Sequence, residues 1–541
     1  MRWASSGPKA PVLLIYIWHR PPHQDQTPTT LTDSTYGQMT TEFAYLPLTL
    51  FDGMCVQTGI ILGWLVEGHI DVHLLEAALN RLVRKWPLLG GRMEQTNDGQ
   101  LRVKVPLCDN YPMDYAPFIL TSSTSTKPIT AYLQLPIPPF SDVLPDELFI
   151  QRGGVSGAPK SPKEWVKNSL PLTYWHVTHF DSGHSCIGVT FSHGLLDGMG
   201  VAALVHALEA ESLGREWPIP GELKPELNAN QMLAFLDRHC SPGSEPSLDR
   251  KKVDSSLESD DVNMDDYRVI SVLGVWSIIC MLMWHLWQQV WHGTHKCLIL
   301  IPQKAYEELV RETRAAMDDE NEGGKLRLST GDVLTAWIYK TIYSNEDRGS
   351  AHYTTQLSNQ ASLRMFAPFG SLADYPHNCF VPIPYPVFTI AELQAIPLHT
   401  LATRLARARG SLSIAHAVHV YDLLQDAVAS RRKGINSFRA VMACNIEANE
   451  NLVMSNMSIA RIVDINWSGI TRAEEGKTTG KTVCRYKKVF TRSQVLVGNM
   501  VTIAGRRADG SLVVDVVLAK RKMKALKDAV NLLIRKSGGG Y

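Results

Sequence analysis

The sequence predicts an α/β protein, with mixed (α+β) sheets covered by helices and divided into two large domains. Three observations carry this expectation. The chain has 541 residues, more than one hydrophobic core usually organises. Strand-like and helix-like segments alternate irregularly, which points to mixed sheets under helices. A polar stretch, residues 241–266, breaks the chain near its middle. It mixes Ser, Pro and Gly with charges such as Arg250, Lys251, Asp260 and Asp265, the composition of a solvated linker.

Residues 1–42 read as a disordered extension. Pro11–Trp18 is apolar but short for a signal sequence and lacks a clear cleavage site; a targeting peptide is the alternative. A first domain is expected over 43–240. Asp71 can cap a helix in which Leu75, Ala78, Leu79, Leu82 and Trp86 recur at helical spacing, until Pro87 and Gly90-Gly91 stop it. Tyr174–Val177 and Ser185–Phe191 read as strands, and Met199–Leu213 as a helix. After the linker comes an uncharged stretch within 267–295. A second domain is expected over 296–541. It opens with a strand, Cys297–Ile301, and a helix, Gln303–Met317; a further helix is read over Ser329–Tyr343. Val501–Ala504 and Leu512–Leu518 flank Asp509-Gly510, a hairpin turn, and a lysine-rich amphipathic helix follows over Met523–Ile534.

Composition excludes several classes. The net charge is +1, so no global field draws in nucleic acid, and a polyanion would need a local patch. The nine cysteines are odd in number and none is spaced C-x-x-C, which argues against a disulfide framework and a zinc site. That usage fits a reducing compartment, so a cytoplasmic setting is expected, where the sequons at Asn456 and Asn466 carry no meaning. His285, His292 and His295 lie close in sequence but read as solvated; no metal is expected.

The chemistry is concentrated in His193-Gly194-Leu195-Leu196-Asp197-Gly198. A histidine at a strand end, with an acid four residues on, lets the acid lock a turn while the ring stays free to take a proton. Such a ring can activate a hydroxyl or amine for attack on an acyl carbonyl. Alone the motif is weak, since a chain with 18 histidines can carry it by chance.

Several segments together resemble the BAHD-type acyl-CoA-dependent acyltransferases, especially fungal members acting on specialised metabolites. "PLTLFD", with Pro47 and Asp52, and "LLEAALNRLVRKWPLLGGRM", with Pro87, Leu88, Gly91 and Arg92, resemble the family's opening. His193, Asp197 and Gly198 match its H-x-x-x-D-G. Ser329, Thr330, Asp332, Leu334 and Ala336 match its S-T-x-D-x-L-x-A helix. "YPHNCF", with Tyr375 and Asn378, is similar to its Y-x-G-N segment, and "LVMSNMSIARIVDINWSG" to the stretch carrying a small-polar pair and D-F-G-W-G. These blocks follow family order over roughly 43–535. In the last motif only Asp464 and Trp467 match. Asn466 stands where the family has glycine, which suggests a turn that still tolerates positive φ.

The resemblance implies two chloramphenicol-acetyltransferase-like domains with a channel between them, in which acyl-CoA and an alcohol meet at His193. His193 would be the general base, and Ser455 and Asn456 the donors to the tetrahedral oxyanion. Asp197 would support the turn through a cation, with Lys296 and Arg364 as candidates. Asp464 is read as architectural with a catalytic role as the alternative, and Trp467 as substrate-binding. Lys481, Arg485, Lys487 and Lys488 are candidates for a basic rim facing CoA phosphates, or a solvated charge run. Acyl-CoA is expected as co-substrate, acetyl-CoA by family frequency, with no permanent cofactor, a lipophilic alcohol as acceptor and a monomer as the working unit.

Val269–Trp287 carries no formal charge over 19 residues. A span would put His193 and the second half on opposite sides of a bilayer. An interfacial or re-entrant helix touching a membrane, or a buried one, is expected instead, with Trp276, Trp284, Trp287 and Trp291 suited to the boundary. Rival readings remain: an N-acyltransferase; a condensation-type enzyme, against which Ser192 stands where that class has a first histidine; and a non-catalytic binding protein on the same fold.

Overall fold

The computed structural model describes residues 42–538, apart from 98, 108–110, 113, 221–229, 241–270, 274, 321–326, 347, 366–372, 433–439, 443–447, 473–478 and 492–497. The expected extension, but for Glu42, and the expected linker lie outside the described residues.

A nine-residue strand, Gly59–Glu67, organises the first half. Its sequence, GIILGWLVE, is buried along all but the last residue, as a strand covered on both faces requires. It sits inside a five-stranded sheet ordered Thr482–Phe490, Gly59–Glu67, His184–Ser192, Thr173–Phe180, Ile119–Thr124. The helix Val72–Lys85 starts where Asp71 accepts the His73 and Leu74 N–H groups at 3.0 and 3.3 Å. Its apolar stripe of Leu75, Ala78, Leu79, Leu82 and Val83 is buried. The helix Gly198–Ser212 packs beside it.

The second half holds a seven-stranded mixed sheet: Val387–Thr389, Thr354–Ser358, Glu450–Asn456, Met500–Arg506, Leu512–Ala519, Thr294–Ile301 and Phe140–Ser141, in that order. Alternation along these strands divides the interior into two cores. Cys297, Ile299 and Ile301 enter the core under the helices Gln303–Glu320 and Thr330–Ile342; Leu298 and Leu300 enter the core of the first half. Leu512, Val514, Val516 and Leu518 repeat the first pattern and Val513 the second, which places Asp515 on the face turned to the first half. The hairpin turn forms at Gly510, φ +79°, with Asp509 accepting the Ser511 N–H at 2.9 Å.

Two strands cross the 241–266 divide. Thr482–Phe490 pairs antiparallel with Gly59–Glu67, and Phe140–Ser141 pairs with Leu298 and Ile299. Each half thus completes the other's sheet.

The uncharged stretch forms a short strand, Ser271–Leu273, and the helix Val275–Trp291. Its 17 residues reach about 26 Å, short of the roughly 30 Å hydrocarbon core. Among the described residues no helix is long and apolar enough to cross a membrane. Nor is this helix buried: Trp284 is covered, but Trp276 and Trp291 are 75% and 76% exposed, and Met283, Leu286, Trp287 and Val290 are exposed with them.

Candidate active site

His193 follows directly on the strand His184–Ser192, and its backbone N–H donates to the Thr58 carbonyl at 2.8 Å. Its ring Nδ1 lies 3.1 Å from the Leu196 carbonyl. A carbonyl only accepts, so Nδ1 carries the proton and Nε2 keeps the lone pair. Burial pushes the ring's pKa below the ordinary histidine value; Asp197 opposes that and the Lys487 charge adds to it. The ring is therefore neutral at pH 7. It lines a cavity of about 930 Å³ walled by both halves of the chain.

Asp197 caps the helix Gly198–Ser212, its Oδ1 accepting the Met199 and Gly200 N–H groups at 3.0 Å each. Arg364 grips both carboxylate oxygens, at 2.8 and 3.2 Å, and the Cys379 N–H donates at 3.2 Å. Five donors thus fix this side chain, which is 6% exposed beside a guanidinium 4% exposed. Of the two candidate cations, Arg364 is the partner; Lys296 stands elsewhere, near Lys488 and Asp146.

The segment Tyr375–Phe380 clamps the turn from behind. His377 Nδ1 donates to the Leu195 carbonyl at 2.7 Å, and Asn378 Nδ2 to the His193 carbonyl at 2.8 Å. Asp52, buried, accepts from the Asn378 N–H and Nδ2 at 2.8 and 2.9 Å; burial raises its pKa. Gly200 is needed for the clamp, since a Cβ there would come within 1.8 Å of the Pro376 carbonyl oxygen.

Ser455 and Asn456 end the strand Glu450–Asn456, in register with Thr502 and Ile503, and line the same cavity. Asn456 Oδ1 accepts the Ser458 N–H at 3.1 Å, leaving Nδ2 as the donor end. That nitrogen packs over Gly331, where a Cβ would approach to 2.7 Å.

The other expected site residues lie elsewhere. Trp467 does not line the cavity: it is 1% exposed in the first core, 5.2 Å from the Trp64 ring. Asp464 is exposed outside the cavity lining, beside Glu209 and Lys481. Asn466 does not take positive φ. It makes an Asx turn instead, Oδ1 accepting the Ser468 N–H at 3.0 Å. Lys481 is exposed and outside the lining, whereas Arg485, Lys487 and Lys488, all on Thr482–Phe490, line the cavity. Lys488 pairs with Asp146, and Arg485 Nη1 lies 3.5 Å from Asp515 Oδ2.

Sequence reading matched Asp52 and Asn378 to family segments without giving them a role, and singled out neither His377 nor Asp515. Asp52 also carries a local signal: Thr49-x-x-Asp52 is a capping box.

Comparison with solved structures matches this architecture. TRI101 of F. sporotrichioides, complexed with coenzyme A and T-2, superposes with a TM-score of 0.55 at 15% identity, covering 90% of this chain and 97% of that one. Vinorine synthase superposes with a TM-score of 0.52 at 14% identity, covering 92% and 95%. The chain has the fold of these two proteins. By sequence it resembles fungal O-acyltransferases. It is 25% identical over 285 residues to the O-acyltransferase pboC of Aspergillus ustus, covering 51% of this chain and 54% of that protein. It is 26% identical over 353 residues to the acetyltransferase pyiB of Pyricularia grisea, covering 62% and 63%. The chain therefore spans less than two thirds of the length of either relative. No family model matches it.

Proposed function

We propose that this protein is an acyl-CoA-dependent O-acyltransferase that moves an acetyl group from acetyl-CoA to a hydroxyl of a lipophilic specialised metabolite. The observation that carries the reading is the tautomer of His193: Nδ1 is committed to the Leu196 carbonyl, leaving a basic Nε2 on a ring that lines a cavity shared by both halves. TRI101 structures hold coenzyme A with T-2 or deoxynivalenol, which supports a thioester and a hydroxylated metabolite as the pair that meets here, in a channel between two domains.

Nε2 takes the hydroxyl proton as the oxygen attacks the thioester carbonyl. The tetrahedral oxyanion is stabilised by the Ser455 hydroxyl and Asn456 Nδ2. The imidazolium then returns its proton to the departing CoA sulfur. Asp197 and Arg364 hold the turn rather than move protons. Arg152 and Lys160, exposed at the cavity, suit the CoA phosphates. The free thiols, including Cys186 and Cys379, suit a reducing cytoplasm, with a monomer as the active unit. The exposed tryptophans and aliphatic side chains of Val275–Trp291 form a peripheral contact with a membrane surface, where lipophilic acceptors partition.

The test is turnover of acetyl-CoA on a panel of hydroxylated terpenoids, polyketides and alkaloids. Acetylated product with wild type, and none above background with His193→Ala, is expected. A His193→Ala variant with wild-type rates removes the proposal. Co-sedimentation with phosphatidylcholine vesicles, lost in a Trp276→Ser/Trp291→Ser variant, tests the membrane contact.

A further inference from the structure

The cavity wall carries seven Lys and Arg side chains against three carboxylates, in a chain whose net charge is only +1. Two of the three acids are engaged: Asp197 by Arg364, and Asp146 by Lys488 and the Tyr486 hydroxyl. Asp515 alone remains for Arg485 and Lys487. The Arg485 side chain is 1% exposed, its contact to Asp515 is a long 3.5 Å, and its Nε has no hydrogen-bond partner among the described residues. A buried guanidinium so poorly partnered costs several kcal/mol of uncompensated desolvation. Such a group is stabilised when an anion arrives.

We infer that Arg485 and Lys487 form a carboxylate subsite in the cavity that His193 lines, so that one of the two substrates is an acid. The inference rests on the acyltransferase reading and names the substrate class for that same site.

Position selects the kind of anion. Lys487 lines the same cavity as His193, and its charge lowers the ring's proton affinity. The pantetheine arm holds the CoA phosphates a full arm's length from the sulfur, so an anion at Lys487 belongs to the acyl chain or the acceptor. A guanidinium presents N–H groups in a plane that matches a carboxylate, and Arg485 lines the cavity. Burial and the Arg485 charge push the Lys487 pKa down to about 8, the direction expected of cations crowded without a counter-ion. Ile60, Leu62, Phe191 and Val489 line the same cavity. The acid therefore has an apolar body with the carboxylate at one end.

Two assay arms locate the carboxylate. In the first, acetyl-CoA is offered with apolar hydroxy acids and with their methyl esters. In the second, a neutral alcohol is offered with succinyl-CoA and with acetyl-CoA. In one arm the acid is expected to exceed its neutral counterpart in kcat/KM by about tenfold or more, the size of a charge-assisted contact. Preference in the first arm assigns the carboxylate to the acceptor, and in the second to the acyl donor. The ratio falls to near one in Lys487→Met and in Arg485→Met; where Arg485→Met does not fold, the partly exposed Lys487 carries the test. A ratio near one in both arms of the wild type, or one unchanged in Lys487→Met, overturns the subsite. A readout free of turnover separates this from failure of the acyltransferase reading. Phenylacetate raises the melting temperature of wild type but not of Lys487→Met, and phenylacetamide raises neither. Equal shifts with acid and amide overturn the subsite whether or not acyl transfer is seen.

Discussion

Two buried ionic clusters border one cavity, and they are satisfied to very different degrees. Arg364 donates two hydrogen bonds to Asp197. Asp197 takes three backbone N–H groups besides, and Arg364 donates to the Tyr375 and His377 carbonyls. Arg485, Lys487 and Asp515 share one long contact. The first cluster has no capacity left for a ligand, and its product is the position of His193. The second, on residues that line the cavity, is under-partnered, and its product is affinity. Completeness of hydrogen bonding, more than charge, separates architecture from a binding site.

The largest effect is expected at the ring that both clusters flank. His193→Ala should lower kcat/KM by about 10²–10⁴ with little change in melting temperature. A comparable loss of stability would mean that His193 belongs to the architectural cluster. Next comes the clamp itself. Asp197→Asn leaves the Arg364 charge buried without its partner, and should cost about 3–5 kcal/mol of folding stability. Chemical denaturation measures it; wild-type stability and activity together would break the contrast.

The opposite sign is expected across the cavity. Replacing an under-partnered buried pair by apolar groups is neutral or stabilising. Arg485→Met/Asp515→Leu should therefore match or exceed wild-type stability by about 1–2 kcal/mol in the absence of ligand. A loss like that of Asp197→Asn would show both clusters to be structural.

The smallest effect is in the pH profile. The base must be neutral, so kcat/KM rises with pH and levels off once His193 deprotonates. Because burial holds the ring below its ordinary pKa, levelling should come below about 6.5. Lys487 lowers that pKa and Asp197 raises it, so Lys487→Met should move the acid limb to higher pH. An unmoved limb would place Lys487 too far from His193 to hold a carboxylate beside it.

What was legible in the chain was local. The Asp71 cap and its apolar stripe identify Val72–Lys85 because a helix writes its buried face at a spacing contained in one segment. Gly59–Glu67 escaped, since an unbroken apolar run buried on both faces has no alternation to read. Trp467 was drawn to the substrate and Asn466 to positive φ by motif analogy. The structure gives the first to the core and the second to an Asx turn. Arg485, Lys487 and Lys488 read as a basic rim or a solvated charge run, because the sequence does not say that Thr482–Phe490 becomes the edge of another half's sheet.

By itself, the sequence determined the turn at His193: a strand, a histidine at its end, and an acid four residues on that locks the turn before the next helix, and the structure adds the bond from the ring to the Leu196 carbonyl. All of these contacts span four residues or fewer. Only the tertiary structure decided that Arg364, 167 residues away, holds that acid, and that Arg485 and Lys487 stand at the same cavity. Such choices depend on which desolvated charges the packing brings together, and burial and distance are properties of the assembled chain, not of any stretch of it.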